Sequence, residues 1–358
     1  MNAAFWRGRR VLLTGHTGFK GAWLALWLNR LGAKVAGYAL EAQTEPSLFS
    51  AARVTDAVEH TIGDVRDLTS LRARIRVFKP EIVFHLAAQA LVRQSYAEPV
   101  ETYATNVMGT ANVLEAIRLE PSARAVVVVT SDKCYENREW IWGYRENEAM
   151  GGHDPYSSSK GCAELVCAAY RASFFSPGHL DDHGVGIASA RAGNVIGGGD
   201  WSADRLIPDA YRAVASEMPV RIRNPRALRP WQHVLEPLSG YMLLAQKLCE
   251  DGKRFASGWN FGPSEADARS VADVMNELVK LWDGALRWEL DGGSHPHEAA
   301  LLRLDCSKAR VSLGWRPKLA LEDALAWTAE WYRAHLSKAD MRQFTLDQID
   351  RYMSREAS

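Results

Sequence analysis

Lysine and arginine do not outnumber aspartate and glutamate; each pair totals 43, so the formal net charge is zero. A nucleic-acid binder ordinarily shows a basic excess or stripe, and the sequence has neither. No apolar run approaches the roughly 18 residues a membrane helix requires. The opening MNAAFWRGRR is basic, but a short apolar strand and a glycine turn follow it, not the core of a signal peptide. Cysteine is scarce and scattered: Cys134, Cys162, Cys167, Cys249 and Cys306 form no CxxC pair. That pattern argues against a disulfide framework and a thiolate zinc site, and reduced, mostly buried thiols are expected. These absences point to a cytoplasmic globular protein with no membrane, nucleic-acid or metal partner.

What is present is ordinary in bulk and specific in detail. At 358 residues the chain exceeds the usual size of one hydrophobic core, so two lobes are expected. Tryptophan is abundant, at thirteen residues. Trp23 and Trp27 lie four apart on an early helix pattern, a spacing that reads as core packing.

Strand and helix patterns alternate through the first 190 residues. Strands are expected at Val11–Leu13, Lys34–Leu40, His60–Gly63, Ile82–Ala88 and Ala125–Ser131. Helical stretches lie between them, around Leu68–Phe78 and Glu101–Leu119. β-Branched runs without polar alternation suit strands buried on both faces of a parallel sheet. The fold class is therefore α/β, a doubly wound parallel sheet of Rossmann type with a smaller α/β lobe. The expected division assigns 1–190, with a returning segment near 231–262, to the dinucleotide-binding domain. The second lobe takes 191–230 and 263–358. After about residue 195, helix patterns recur at Val234–Leu248, Ser270–Leu281 and Leu321–Leu336.

Three constellations carry chemistry. Gly15, Gly18 and Gly21 follow the first strand and open a helix, where backbone amides and the helix N-terminus can approach a pyrophosphate. The spacing is GxxGxxG rather than the usual GxGxxG, and His16, Thr17, Phe19 and Lys20 complete the turn. A ligand-free strand–helix turn has the same look. Next, Tyr156 and Lys160 stand four apart, so on a helix the phenol and the ammonium share one face. A neighbouring cation would favour phenolate, as a general base requires. Such a spacing alone also decorates many helix surfaces. Third, Ser131, Asp132 and Lys133 come at the carboxyl end of the fifth strand, where open α/β sheets bind their ligands. An ion pair within a loop is the plainer alternative.

In combination these features resemble the extended short-chain dehydrogenase/reductases that act on nucleotide-sugars. The glycine turn, Asp64 and Val65 after strand three, and Leu86, Ala87, Ala88 and Gln89 after strand four fall in the family's order. So do Asn106, Ser131, Tyr156 and Lys160. The strings GHTGFKGAWL, TSDKCYENREWIWGYRE, DPYSSSKGCAEL and RPWQHVLEPLSGY narrow the resemblance to a dehydratase branch. The resemblance implies tightly bound NAD, with these turn and strand-end residues as its ligands. It implies that Tyr156 removes the C4 hydroxyl proton, Ser131 orients that hydroxyl, and Lys160 tunes the phenol. Asp132 would protonate the departing C6 hydroxyl, and Lys133 stands where related enzymes carry the glutamate that removes the C5 proton. An amine does this only when neutral. Asn194, Arg205, Arg229 and His295 are the implied substrate ligands, and a homodimer is implied through the Asn106 and Lys160 helices.

Alternatives remain at this level. A metal reading of His295 and His297 lacks further ligands at clear spacing. NAD-using relatives commonly place an aspartate at the end of strand two; here that position is Ala39, with Glu41 two residues on and no arginine immediately after to welcome a 2′-phosphate. An epimerase keeps Tyr156 and Lys160 but needs no acid–base pair after Ser131. A non-catalytic dinucleotide sensor would leave the whole set unexplained. No residue reads as selecting a base.

Overall fold

The computed structural model describes residues 2–264, 267–293 and 301–356. Its centre is a parallel sheet built from β1 (Arg10–Thr14), β2 (Lys34–Ala39), β3 (Glu59–Ile62), β4 (Ile82–His85), β5 (Ala125–Val129) and β6 (Gly186–Ala192). Three short strands follow along the chain: β7 (Val195–Ile196), β8 (Val220–Ile222) and β9 (Leu228–Pro230). They are followed by β10 (Gln232–His233), β11 (Gly258–Phe261), β12 (Ala268–Ser270) and β13 (Trp288–Leu290). The order across the large sheet is β11-β6-β5-β4-β1-β2-β3, with β1 beside both β2 and β4. That is a doubly wound sheet whose direction of winding reverses at β1, and the crevice there is where ligands bind.

β5 shows why valine runs make such a strand. Ala125, Val127 and Val129 point into one hydrophobic core and Val126 and Val128 into the other, and all five are buried. Successive side chains alternate faces, so a strand covered by helices on both sides must be apolar throughout. The small strands pair as β7 with β10, β8 with β13 and β9 with β12, and lie beyond the carboxyl ends of the large sheet. β11 extends the large sheet next to β6.

Two features escape the sequence patterns. β6, GIASARA, is fully buried but made largely of small residues, so it carries no β-branched signal. The helix from Pro99 to Leu119 is one rod interrupted by a π-helical turn at Ala104–Met108. Such bulges turn a side chain out of register, and the one turned inward here is Asn106.

The tryptophans of the first helix, Phe19–Arg30, are core residues as their spacing predicts. Trp23 and Trp27 are both fully buried; Trp23 donates to Gly198 O (2.9 Å), and Trp27 meets Tyr352 edge-on at 5.5 Å. The C-terminal helix Met341–Ser354 thus packs on the first helix. Glu236 ties this junction. It is fully buried, accepts from the amides of Lys318 (2.9 Å) and Leu319 (2.8 Å), and accepts from the Tyr352 hydroxyl (2.7 Å). Tyr352→Phe removes a donor from a buried carboxyl, and a stability loss of about 1–3 kcal/mol is expected. Chemical denaturation of the variant beside the parent measures it.

Candidate active site

One large cavity, of about 1250 Å³, runs across the carboxyl ends of the strands and takes in residues from both expected lobes. Its floor is the glycine turn. Gly15 has φ +76°, and a Cβ there would meet Ala87 N at 2.6 Å. A Cβ on Gly21 would meet Gly15 O at 2.1 Å. Gly18 differs: its nearest neighbour would be Gly15 O at 3.5 Å, so a side chain there would have open space beside it. Gly18 lines the cavity and caps the helix Phe19–Arg30, so that helix's free amides point the same way. A bare backbone at a helix N-terminus fits a dinucleotide pyrophosphate. NAD fits these residues.

Most sequence-predicted cofactor residues line this cavity: Thr17, Phe19, Lys20, Asp64, Val65 and the run Leu86 to Gln89. Thr17 Oγ1 donates to Leu40 O (2.9 Å), tying the turn to the end of β2. Glu41 lines the same wall, whereas the Asp64 carboxylate is held below its usual range by hydrogen bonds from Arg66. A carboxylate at position 41 repels a 2′-phosphate. Glu41→Arg should therefore tighten NADP binding severalfold relative to NAD, measured by calorimetric titration of both dinucleotides.

Two residues expected at the cofactor have side chains turned away from the cavity. His16 does not line the cavity: its fully buried ring faces β2, with Nε2 2.7 Å from His60 Nδ1. Gly37 makes this possible, since a Cβ there would lie 2.4 Å from the imidazole. Burial, and then His60, hold the His16 pKa down to about 3, so it offers no cation to a phosphate. Asn106 is likewise shut away from the cavity. Its carboxamide donates to Gln89 O (3.0 Å) and Ser159 Oγ (2.8 Å) and accepts from Gln89 N (2.9 Å). It positions the strand-four loop against the Tyr156 helix. His295 lies outside the described residues, and among those described no cluster of three or more His, Cys, Asp or Glu side chains could hold a metal ion.

The chemical centre gathers Ser131, Asp132, Lys133, Tyr156 and Lys160 on one wall of the cavity. The helix Pro155–Ser173 starts just before Tyr156 for local reasons: Asp154 caps it by accepting from Ser157 N (2.9 Å), and Pro155 opens the first turn. Tyr156 N is held by Ser95 Oγ at 3.1 Å. Lys133 Nζ stands 5.9 Å from the centre of the Tyr156 ring. Lys160 Nζ donates to Val129 O at 3.4 Å.

Burial dominates the electrostatics. The Tyr156 phenol is pushed up to about 12 by burial, with the Ser131 hydroxyl and the Arg205 charge drawing it back. The lowering expected from Lys160 is not among the influences on the phenol; burial dominates, because desolvating a phenolate costs more than Ser131 and Arg205 return. Lys160 itself falls to about 8, again through burial. Lys20 also falls to about 8, by burial and then by the charges of Arg205 and Lys160. Asp132 is raised by burial, although Lys133, Ser131 and Arg229 oppose the shift. One of its oxygens accepts from Ser131 Oγ (3.0 Å); the other, Oδ2, is buried with no hydrogen-bond partner. Gly193 leaves room beside it, since a Cβ there would come within 3.1 Å of Oδ2. A carboxyl that burial makes easier to protonate than a free aspartate, with one unpartnered oxygen, is suited to give up a proton.

The same cavity supplies cations close to this centre. Asn194, Arg205 and Arg229 all line the cavity, and Arg205 is braced by Asp200 (2.9 Å). Arg229 sits where β9 pairs with β12. Asp200 itself was not legible as part of the site, for the sequence shows it only as the end of a glycine loop.

Residues 12–328 match the sequence profile of the GDP-mannose 4,6 dehydratase family. The chain belongs to this family. It is 57% identical over 350 residues, 98% of both chains, to the CDP-glucose 4,6-dehydratase of Salmonella typhimurium. Among solved structures it is similar to MoeE5 in complex with UDP-glucose and NAD (25% identity, TM-score 0.76, 91% of this chain and 99% of that one). It also shares its fold with the dTDP-glucose 4,6-dehydratase of Bacillus anthracis in complex with NAD (19% identity, TM-score 0.76, 93% and 99% coverage). The family placement agrees with the doubly wound sheet.

Proposed function

We propose that the protein is a CDP-glucose 4,6-dehydratase, a hydro-lyase that uses NAD and forms CDP-4-dehydro-6-deoxy-D-glucose. The observation that carries this reading is Asp132, a buried carboxyl with an unpartnered oxygen on the same cavity wall as Tyr156 and Lys160. An epimerase has no departing hydroxyl to protonate, so it has no use for that group. The likeness to the Salmonella enzyme supports cytidine as the nucleoside.

When bound, NAD supplies a reversible two-electron acceptor, so that the sugar is oxidised at C4 and reduced at C6 without net redox change. The glycine turn would hold its pyrophosphate, and Lys160 would hold its ribose. Tyr156 accepts the proton of the C4 hydroxyl while Ser131 orients that hydroxyl. A C4 ketone acidifies the C5 proton, and Lys133, next to the acid, is the side chain placed to accept it. Asp132 gives its proton to the departing C6 hydroxyl. Asn194, Arg205 and Arg229 hold the sugar diphosphate, the arginines through their forked donors. In this reading 1–190 with 231–262 binds NAD, and 191–230 with 263–358 binds the substrate. Comparing kcat/KM for CDP-, dTDP-, GDP- and UDP-glucose tests the nucleotide: CDP-glucose should lead by at least tenfold, and a lead for another would overturn the cytidine assignment.

The protein acts as a cytoplasmic homodimer. Supporting this, Val100 and Leu165 are 81% and 59% exposed on the helices of Asn106 and Lys160, an apolar face suited to a two-fold contact. Among the described residues no helix is long and apolar enough to cross a membrane. Leu165→Glu should shift the protein from dimer to monomer in light scattering, and a parent that is already monomeric would refute the dimer.

A further inference from the structure

Beneath the chemical centre lies a buried charged network that the mechanism above does not use. Tyr156, Lys160 and Glu164 recur every four residues along one face of the helix Pro155–Ser173, and each is 9% exposed or less. Glu164 Oε2 accepts from Arg191 Nη2 (2.7 Å) and Ser189 Oγ (2.6 Å), both on β6. Its Oε1 accepts from Thr130 Oγ1 (2.5 Å), on the residue that leads into Ser131. The other arm of Arg191 donates to the Tyr135 hydroxyl (2.6 Å), just past Lys133. One carboxylate therefore joins the helix that carries Tyr156 and Lys160 to the turn that carries Ser131, Asp132 and Lys133.

The charge matters as much as the bonds. Groups facing Lys160 include Cys134 from the turn after β5, Glu164 and Cys167 on its own helix, His85 on β4, and Lys20 from the glycine turn. Burial keeps both thiols protonated and His85 neutral. Lys20 is a cation. Glu164, held below its usual range by Arg191 and three hydrogen bonds in spite of burial, is the anion among them. A buried ammonium whose protein acceptor is a carbonyl at 3.4 Å needs such a counter-charge.

We propose that Glu164 is a positioning residue that keeps Lys160 charged at neutral pH and fixes the Ser131 turn to the Tyr156 helix. The role given to Lys160 rests on the dehydratase reading, so the test includes a measurement that needs no substrate. The titration of Lys160 is followed by NMR with lysine labelled at Cε, its signal assigned by loss in Lys160→Arg. In Glu164→Gln the Lys160 midpoint should fall by about one pH unit or more, and the alkaline limb of kcat should fall with it. Ser189→Ala, which removes one bond and keeps the charge, should leave both in place. A folded Glu164→Gln protein with an unmoved Lys160 midpoint overturns the proposal, even if kcat drops. Should that variant not fold, the parent decides: a Lys160 midpoint below pH 7 overturns the proposal, and one above it supports it. A parent inactive on every nucleotide-glucose would refute the dehydratase reading while leaving the titration to judge Glu164.

Discussion

Replacing Tyr156 with Phe is expected to lower kcat on CDP-glucose by about 10²–10⁴-fold, the usual worth of a positioned general base. KM should change little, because the ring that fills the wall is kept and only the hydroxyl is lost. The fold should survive as well, since the helix start depends on Asp154, Pro155 and the Ser95 contact to the Tyr156 amide rather than on the phenol. The pH dependence follows from the burial of the site. With the phenol at about 12 before cofactor and substrate bind, phenolate is scarce at neutral pH and gains about tenfold per pH unit. The parent's rate should therefore rise with pH through the neutral range and turn over where Lys160, at about 8, loses its charge. In Tyr156→Phe that rise should be absent. Steady-state rates measured across pH for both proteins check the two statements together.

Asp132→Asn should be equally damaging, by about 10²–10⁴-fold in product formation, but at a different step. The amide keeps the size of the carboxyl and can still accept from Ser131, yet it has no acidic proton to give. Tyr156, Lys160 and Lys133 are untouched, so oxidation at C4 and proton exchange at C5 should continue without loss of the C6 hydroxyl. Sugar recovered from deuterated water should then be CDP-glucose carrying deuterium at C5. Mass spectrometry and NMR of the recovered sugar detect this. Recovered sugar with no deuterium would mean that Asp132 acts before elimination, and its role as the acid would be wrong.

The sheet and the chemical centre were readable in the sequence because each depends on local spacing. Val126 to Val129 can hardly be anything but a strand covered on both sides, and Tyr156 and Lys160 need only a helix to meet. What escaped depends on contacts between distant residues. His16 was expected among the cofactor ligands from its place in the glycine turn, but Gly37 on the neighbouring strand opens a slot that holds its ring against His60. Asn106 faces inward because of a π-helical turn that no residue pattern announces. The phenol's upward shift reflects total burial, a property of the whole fold. Glu164 was visible as the third residue in a four-residue repeat with Tyr156 and Lys160; its partner Arg191 sits on a strand of small residues that carries no strand signal.

The most direct measurement is to incubate the protein with NAD and CDP-glucose in deuterated water and record the product by NMR. The account predicts a C6 methyl group, a keto group at C4 and solvent deuterium at C5. A hexose epimerised at C4 with its C6 hydroxyl intact would contradict it and leave the buried acid at Asp132 without a task.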